Sequence, residues 1–312
     1  MSLPVVIDCD PGVDDAIALL LALASPELEV RGVTTVAGNA ALADVTRNAA
    51  HVLDLAGAPA GLPLVAGLAG PIARPARIAD EPMHGAGGLG GLAPAGPPRA
   101  PGPGHAVDFL AEQALAAPGA LTLVAIGPLS NVAALLARHP QAGPALREIV
   151  VMGGAAFAQG NITPAAEFNF YADPEAARCV LESGVPVRVV GLDVTRAALL
   201  PLQAAEHLAG LAGAAGAAGE LLRGFVERYR ERFGVAAVPV HDALALAGLI
   251  DPGLLEYGHG SATVECAGEV TRGALVADLR TPGRSRTVRI ARSVDADRFT
   301  ALLTERLARH AG

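Results

Sequence analysis

The sequence predicts an α/β fold: an open, mostly parallel, doubly wound sheet with a Rossmann-like core and helical insertions near the active site. Short β-branched runs alternate with longer amphipathic runs, as in strands connected by helices. Hydrophobic residues make up 52% of the 312 residues and charged residues 17%, which provides apolar material for a large core. Polar residues concentrate where the predicted strands end, and open parallel sheets bind ligands there. We expect one domain over residues 1–312.

The predicted elements alternate along the chain. The predicted strands cover residues 5–7, 29–36, 62–65, 121–126, 148–152, 187–192 and 287–290, with a hairpin over 264–279. The predicted helices cover residues 15–24, 42–55, 106–117, 131–138, 174–182, 202–211, 220–233, 243–249 and 297–309. The helical insertions are expected near residues 70–105 and 200–240. Between residues 82 and 104, glycine and proline supply over half the positions, which is typical of a binding loop or lid.

Composition and charge exclude several classes of protein. The net charge of −8 argues against a nucleic-acid partner, and all 23 basic residues are arginine, which excludes chemistry that needs lysine. Cys9, Cys179 and Cys266 are too far apart to suggest a disulfide framework or a zinc site. The longest apolar runs reach about half the roughly 20 residues that span a bilayer. The N-terminus lacks a signal-peptide pattern. We therefore expect a cytoplasmic protein without a membrane partner.

Four aspartates lie within VVIDCDPGVDDAIALL, between two apolar runs: Asp8, Asp10, Asp14 and Asp15. Helix capping explains one or two of them, because negative charge is favourable at a helix N-terminus. It does not explain four at one turn, since neighbouring like charges raise one another's pKa. A bound cation compensates them most simply, and carboxylates favour Ca²⁺ or Mg²⁺ over zinc.

Two further segments carry polar residues in apolar surroundings. His241 and Asp242 precede an apolar helix, and such a pair on its own is more often a surface or capping feature. Asn161, Glu167 and Asn169 lie in a loop of small and aromatic residues. Asn and Glu side chains grouped in this way are suited to binding hydroxyl groups, as in a sugar.

Taken together, these segments resemble the inosine–uridine preferring nucleoside hydrolase family. The resemblance begins with DCDPGVDDA and continues, in the order and spacing of that family, over residues 5 to 250. The further matching segments are TTVAGN, MHG, AIGPLSN, VMGG, GNITPAAEFNFYADPEAA and HDALAL. A series of ordered matches is far more specific than any single motif.

The resemblance implies a role for each matching residue. The metal ligands for Ca²⁺ would be Asp10, Asp15, Asp242 and the main-chain carbonyl of Ile126. The ribose-binding residues would be Asp14, Asn39, Met152, Asn161, Glu167 and Asn169. Asp14 and Asn169 would hold the 2′- and 3′-hydroxyls, and Asn161 and Glu167 the 5′-hydroxyl. Asp8 would support the cluster from behind.

The implied reaction is hydrolysis of the N-glycosidic bond of ribonucleosides to free base and ribose, through a Ca-bound water activated by Asp10. His241 would give a proton to the base, and Asn39 would lie near the attacked carbon; these two and Asp10 form the catalytic set. The resemblance also implies a homodimer or homotetramer.

The base-side residues are expected to be His84, Phe168, Tyr229 and His241. Base recognition departs from the family pattern, because Gly87 stands where relatives often have an acidic or hydroxyl residue. Phe225 fits a stacking role and a core role equally well. An aromatic side chain on an amphipathic helix is in general more often part of the core.

Two alternatives compete with this interpretation. Asp8-Cys9-Asp10 fits the first-strand motif of haloacid dehalogenase-type phosphatases, but those enzymes normally hold the phosphate with a lysine, which this chain lacks. The second alternative is a non-catalytic nucleoside- or sugar-binding protein that kept the pocket. The complete acidic set and His241 argue against it, and an assay for base release separates the three.

Overall fold

The computed structural model describes residues 2–75, 83–90, 97–280 and 287–311. Within these ranges the strands are β1 (Leu3–Cys9), β2 (Leu28–Thr35), β3 (Leu64–Ala66), β4 (Thr122–Ala125), β5 (Glu148–Met152), β6 (Val187–Val190), β7 (Leu199–Pro201), β8 (Ala237–Pro239), β9 (Leu255–Val264), β10 (Leu275–Asp278) and β11 (Val288–Val294). Nine of these described strands form one sheet in the order β10-β9-β11-β6-β5-β4-β1-β2-β3. The strands from β11 to β3 pair in parallel, and β9 and β10 add an antiparallel edge.

Helices connect the parallel strands and cover both faces of the sheet. They are α1 (Val13–Leu23), α2 (Leu42–Leu55), α3 (Ala106–Ala116), α4 (Ser130–Arg138), α5 (Ala142–Ala145), α6 (Phe168–Ala172), α7 (Pro174–Leu181), α8 (Leu192–Thr195), α9 (Leu202–Ala209), α10 (Gly213–Phe233), α11 (His241–Ile250) and α12 (Ala296–Ala308). No helix in the described ranges is both long and apolar enough to cross a bilayer.

The buried strand β1 contributes side chains to both hydrophobic clusters of the core, one on each face of the sheet. Val5, Ile7 and Cys9 point into one hydrophobic cluster, whereas Val6 points into the other, because successive side chains of a strand face opposite ways. A strand buried on both faces reads as an unbroken apolar run, which is the pattern that predicted it. The α/β fold and the mostly parallel sheet are therefore confirmed.

Helix α10 corrects the start of the helix predicted over residues 220–233. It begins at Gly213 rather than at residue 220, because the Ala/Gly-rich stretch is helical and packs closely against α9. A Cβ on Gly219 would lie 2.0 Å from the backbone nitrogen of Ala209, so the small residues permit this contact. Low sequence complexity here marks a tight helix–helix interface.

The helical insertion expected near residues 70–105 is only partly described, because residues 76–82 and 91–96 lie outside the described ranges, and so do residues 82 and 91–96 of the predicted loop. The described parts of this insertion hold one 3₁₀ turn, Ala86–Gly88, and no α-helix. The hairpin expected over residues 264–279 begins at Leu255, because β9 is a half-exposed strand beside the edge strand β10 and has two glycines that weaken its apolar alternation. Short elements such as α6, α8, β7 and β8 were too brief for periodicity to reveal.

Candidate active site

The turn between β1 and α1 is held by one of its own aspartates. The Asp15 carboxylate accepts the backbone N–H of Asp10 at 3.1 Å through Oδ1 and that of Gly12 at 2.9 Å through Oδ2. A carboxylate in the first helical turn that reaches back to the preceding N–H groups is half of a capping box. Capping therefore accounts for part of the role of Asp15, and Asp14 also lies against the first N–H groups of α1, but capping does not explain Asp8 or Asp10.

The Asp10 carboxylate is wedged between two glycine backbones. A Cβ on Gly38 would lie 2.1 Å from Asp10 Oδ2, and a Cβ on Gly127 would lie 2.6 Å from Oδ1. The backbone N–H of Asn39 donates to Oδ2 at 2.7 Å. Asp10 Oδ1 is buried and has no hydrogen-bond partner among the described residues. One oxygen of this carboxylate is thus fixed while the other is left for a ligand.

Asp14, Asp15 and Asp242 bring their carboxylates together at the same edge of the sheet. One oxygen of each lies within 4.8 Å of the other two, and all three residues are buried. Burial, and then the neighbouring charges, raise the pKa of Asp242 well above its usual range. Burial raises the pKa values of Asp14 and Asp15 to about 6. The charge of Asp14 is, after burial, the largest of the neighbouring charges that raise the pKa of Asp242.

Asp10 stands beside this group and interacts with it. Burial, and then the charge of Asp15, raise the pKa of Asp10 well above its usual range. Oxygen donors at this density suit a hard divalent cation, and an uncompensated cluster of this kind is otherwise costly. Behind the cluster, Asp8 Oδ1 accepts the Thr34 hydroxyl at 2.5 Å and the Asn131 amide at 2.8 Å. Burial raises the pKa of Asp8 to about 7.

A second group of expected residues gathers at the ends of β4 and β5. Asn169 Nδ2 donates to the carbonyl oxygens of Ile126 at 2.8 Å and of Met152 at 3.1 Å. Glu167 is the N-cap of α6, and its carboxylate accepts the N–H groups of Asn169, Phe170 and Gly154. Burial raises the pKa of Glu167 to about 7, and the charge of Asp14 adds to that shift. The two groups therefore face a common site.

Asn161 and Phe168 lie at the outer margin of this second group. Asn161 is exposed, and its Oδ1 accepts the backbone N–H of Phe168 at 2.9 Å. Phe168 is half-buried at the start of α6. Both residues therefore lie next to Glu167. Asn161 and Glu167 are the two residues expected, from the family resemblance, to hold the 5′-hydroxyl.

His84 has a defined tautomer. Its Nδ1 accepts the backbone N–H of Val13 at 3.1 Å. Because a backbone N–H can only donate, Nδ1 must carry a lone pair and the ring hydrogen must lie on Nε2. Burial lowers the pKa of His84 to about 4, in keeping with a neutral ring. His84 is thus a hydrogen-bond donor through Nε2, with Phe225 packed beside it at 5.6 Å between ring centroids.

His241 is the first residue of α11 and adjoins Asp242. Its Nδ1 lies 2.7 Å from the Thr195 hydroxyl. Burial, and then the charge of Arg196, lower its pKa to about 3, so the ring is neutral. Tyr229 is half-buried on α10 and packs against Phe233 at 4.6 Å between ring centroids. The positive charge of Arg196 is close enough to act on the Tyr229 hydroxyl.

Four polar residues that support the site were missing from the predicted set. Asn131 supports Asp8, and Thr195 contacts His241. Asn48 Nδ2 donates to the carbonyls of Pro11 and Gly87, and Arg228 Nε donates to the carbonyl of Met83. The last two tie the segment that carries His84 to α2 and α10. A buried asparagine inside an amphipathic helix, as at Asn48, is the signal that could have revealed one of them.

Comparison with known proteins shows the family to which the chain belongs. The sequence profile of the inosine–uridine preferring nucleoside hydrolase family matches residues 5–301. The chain is 41% identical over 314 residues, covering 100% of each chain, to the pyrimidine-specific ribonucleoside hydrolase RihA of Salmonella gallinarum.

Solved structures of similar proteins share the whole fold. A plant nucleoside hydrolase, PpNRh1, superposes with a TM-score of 0.92 at 32% identity, covering 99% of both chains. The purine-preferring ribonucleoside hydrolase from Gardnerella vaginalis superposes with a TM-score of 0.93 at 31% identity, again covering 99% of both chains. With a profile match over nearly its whole length and full-length relatives, the chain belongs to the inosine–uridine preferring nucleoside hydrolase family, whose members cleave the N-glycosidic bonds of ribonucleosides.

Proposed function

We propose that the protein hydrolyses the N-glycosidic bond of ribonucleosides, with Asp10 as the base that takes a proton from the attacking water. The observation that carries this proposal is the buried Oδ1 of Asp10, which has no hydrogen-bond partner among the described residues. A positioned carboxylate oxygen with a free lone pair can accept a proton from water. Water adds to the anomeric carbon, the bond to the base nitrogen breaks, and its electron pair leaves with the base.

The cation in this proposal is Ca²⁺, held by Asp10, Asp15, Asp242 and the carbonyl oxygen of Ile126. The support is the all-oxygen donor set and the buried, mutually repelling carboxylates. When bound, the cation supplies a water of lowered pKa and a charge that compensates the aspartates. The amide of Asn169, 2.8 Å from the Ile126 oxygen, fixes the direction of that carbonyl.

The ribose is held by residues from both groups of the site. Asp14 and Asn169 bind the 2′- and 3′-hydroxyls, Asn161 and Glu167 bind the 5′-hydroxyl with Met152 beside it, and Asn39 lies near the anomeric carbon. Breaking the bond develops positive charge on the sugar. Buried carboxylates held in place before the reaction stabilise that charge without reorganisation.

The base is met by two neutral histidines. His84 donates a hydrogen bond through Nε2, which recognises an acceptor atom of the base. His241 donates to the departing base, and a neutral imidazole can stabilise developing negative charge in this way. Phe168 and Tyr229 provide aromatic surface for stacking. In this proposal pyrimidine ribonucleosides are preferred, because the full-length relatives at 41% identity are named as pyrimidine-specific.

The test is a substrate panel of uridine, cytidine, inosine and adenosine, assayed for free base and reducing sugar with Ca²⁺ present. We expect release from all ribonucleosides that bind, with kcat/KM highest for uridine or cytidine. Highest kcat/KM for inosine would overturn the pyrimidine preference alone. No release from any nucleoside would contradict the hydrolase proposal and favour a non-catalytic binding protein, whereas release of phosphate from nucleoside monophosphates would favour the phosphatase alternative.

The remaining features of the proposal concern the assembly and its location. We propose a cytoplasmic homodimer or homotetramer, on the basis of the resemblance and of the cysteine content. Light scattering on the purified protein measures the subunit number, and a monomer at micromolar concentration would contradict it.

A further inference from the structure

The hydrogen bond between His241 and Thr195 raises a question that the proposed reaction leaves open. The Thr195 hydroxyl lies 2.7 Å from His241 Nδ1, and Thr195 is 1% exposed. Either atom of such a pair can be the donor, and the choice decides which ring nitrogen carries the hydrogen. If Thr195 donates to Nδ1, the ring hydrogen lies on Nε2, the nitrogen that remains for the base.

Thr195 is the last residue of α8, and α8 is fastened at several points. Its first residue, Leu192, donates its N–H to the carbonyl of Gly154 at 2.9 Å. The N–H of Gly154 donates in turn to Glu167 at 2.8 Å. A continuous series of hydrogen bonds therefore joins a residue of the proposed 5′-hydroxyl site to the beginning of α8.

Two charged residues of the same turn strengthen this attachment. The Asp193 carboxylate accepts the N–H groups of Ala156, Phe157 and Ala158 at 2.6–2.9 Å. Arg196, directly after α8, donates to the carbonyls of Gln159 and Gly160 at 2.7 Å each. Five hydrogen bonds thus hold α8 against the loop that leads to Asn161. These bonds fix the main chain on both sides of Thr195, and so the position from which its side chain extends.

A fixed partner matters because a histidine ring is otherwise free to turn. Rotation about χ2 of histidine is broad and roughly twofold, so an unrestrained ring exchanges the positions of its nitrogens. A catalytic group displaced by about 1 Å loses much of the advantage of proximity. A hydroxyl that selects one orientation and one tautomer is a common way to remove this freedom.

We propose that Thr195 is a positioning residue, which donates to His241 Nδ1 and so presents Nε2–H to the leaving base. The proposal rests on the proposed function, because it assigns Thr195 a purpose in base departure. Thr195 does not touch the substrate and acts only through His241.

The test compares Thr195→Val, which removes the hydroxyl at nearly constant shape, with Thr195→Ser, which keeps it. The substrates are uridine, whose base needs a donor to leave, and 4-nitrophenyl β-D-ribofuranoside, whose phenolate leaves without one. We expect Thr195→Val to lower kcat on uridine roughly tenfold or more, with KM nearly unchanged, and to leave the 4-nitrophenyl riboside within about threefold of wild type. Thr195→Ser restores most of the uridine activity.

Two further measurements separate positioning from a general structural effect. The ¹⁵N chemical shifts of His241 report the tautomer directly, and we expect hydrogen on Nε2 in the wild-type protein. Thr304→Val removes a hydroxyl that donates to the Thr300 carbonyl at 2.8 Å on α12, away from the site, and should change neither substrate. If Thr195→Val fails to fold, Thr195→Cys replaces it, with the same selective loss on uridine expected.

An equal loss on both substrates, or a wild-type tautomer with hydrogen on Nδ1, would overturn the positioning role while leaving the hydrolase proposal intact. No hydrolysis of any ribonucleoside by the wild-type protein would instead overturn the proposed function itself. Unchanged uridine turnover in Thr195→Val also contradicts the proposal.

Discussion

The two ends of the parallel sheet both bury carboxylates, and they compensate them differently. At the amino end, Glu148 of β5 is 4% exposed and is paired with one arginine from the adjacent strand β6 and one from β11. Arg188 Nε lies 2.7 Å from Glu148 Oε2, and Arg289 Nη2 lies 2.8 Å from the same oxygen. At the carboxyl end, Asp10, Asp14, Asp15 and Asp242 are buried, and in the described part of the chain no arginine forms an ion pair with any of them.

The difference distinguishes a structural charge from a functional one. A buried carboxylate that is satisfied by arginines needs nothing from outside the protein. A cluster of carboxylates that repel one another is stable only with protons or an added cation, and this shows in the raised pKa values of Asp10 and Asp242. Incomplete compensation within the fold is therefore the physical feature that marks this cluster as the candidate active site.

The largest expected effect comes from removing the proposed base. Asp10→Asn keeps the shape of the side chain and abolishes its ability to accept a proton. We expect kcat for nucleoside hydrolysis to fall about a thousandfold, or ~4 kcal/mol, with the fold retained. Steady-state kinetics and circular dichroism measure both. Turnover within about threefold of wild type would contradict the role of Asp10.

At the opposite end of the sheet, Glu148→Gln should weaken the fold. The change leaves two arginines without their buried partner, and breaking such a pair costs about 3–5 kcal/mol. Denaturant unfolding measures the loss in the free energy of unfolding. Glu305→Gln is the matched control, because its 63% exposed side chain pairs with Arg309 at the surface; it should change stability by less than about 1 kcal/mol. A similarly small loss for Glu148→Gln would show that the amino-end network contributes little.

The stability of the metal-free protein should depend on pH through the aspartates at the carboxyl end of the sheet. Burial raises the pKa values of Asp14 and Asp15 to about 6, from 3.8. Because the pKa is higher in the folded state than in the unfolded state, folding favours the protonated carboxyl groups. Their contribution to the free energy of unfolding is therefore full below about pH 4 and is lost as the pH rises through 6. We expect the melting temperature with chelator to fall between pH 5 and 8. An increase over that interval would contradict uncompensated charge at this site.

The smallest effect is expected from Asp242→Asn. The change removes a buried carboxyl whose charge repels those of Asp14, Asp15 and Asp10, so the metal-free protein should gain about 1 kcal/mol of stability at pH 7.5. The same variant should lose most of its stabilisation by Ca²⁺, as measured by thermal unfolding. Asp251→Asn, at the other end of α11 and paired with Arg298, is the control that keeps the Ca²⁺ response. An unchanged Ca²⁺ response in Asp242→Asn would remove this residue from the cation site.

The sequence was sufficient to predict the sheet and its polar edge. Apolar runs such as those of β1 and β4 are unambiguous, and aspartates between them are rare enough to mark a site. Periodicity was less informative where tertiary contact decides the structure, as in α10, whose glycine-rich first turns are helical because α9 approaches their backbone.

Supporting residues were the harder part of the site to predict. Thr195 and Arg228 come from α8 and α10, and each meets its partner across more than 40 positions of sequence. Nothing local distinguishes them from ordinary helix residues. The aspartates, by contrast, can be recognised from the sequence alone. Burying a carboxylate costs free energy, and the apolar residues that indicate burial adjoin these aspartates in the chain.

The most direct test of uncompensated charge at the carboxyl end is thermal unfolding of the wild-type protein at pH 7.5, with Ca²⁺ and with a chelator. A cation that binds only the folded state at a hundred times its Kd adds about 2.7 kcal/mol of stability. The melting temperature should therefore be on the order of 5 °C higher in Ca²⁺ than in chelator. Equal melting temperatures with Ca²⁺, Mg²⁺ and chelator would contradict a cation as the compensating charge.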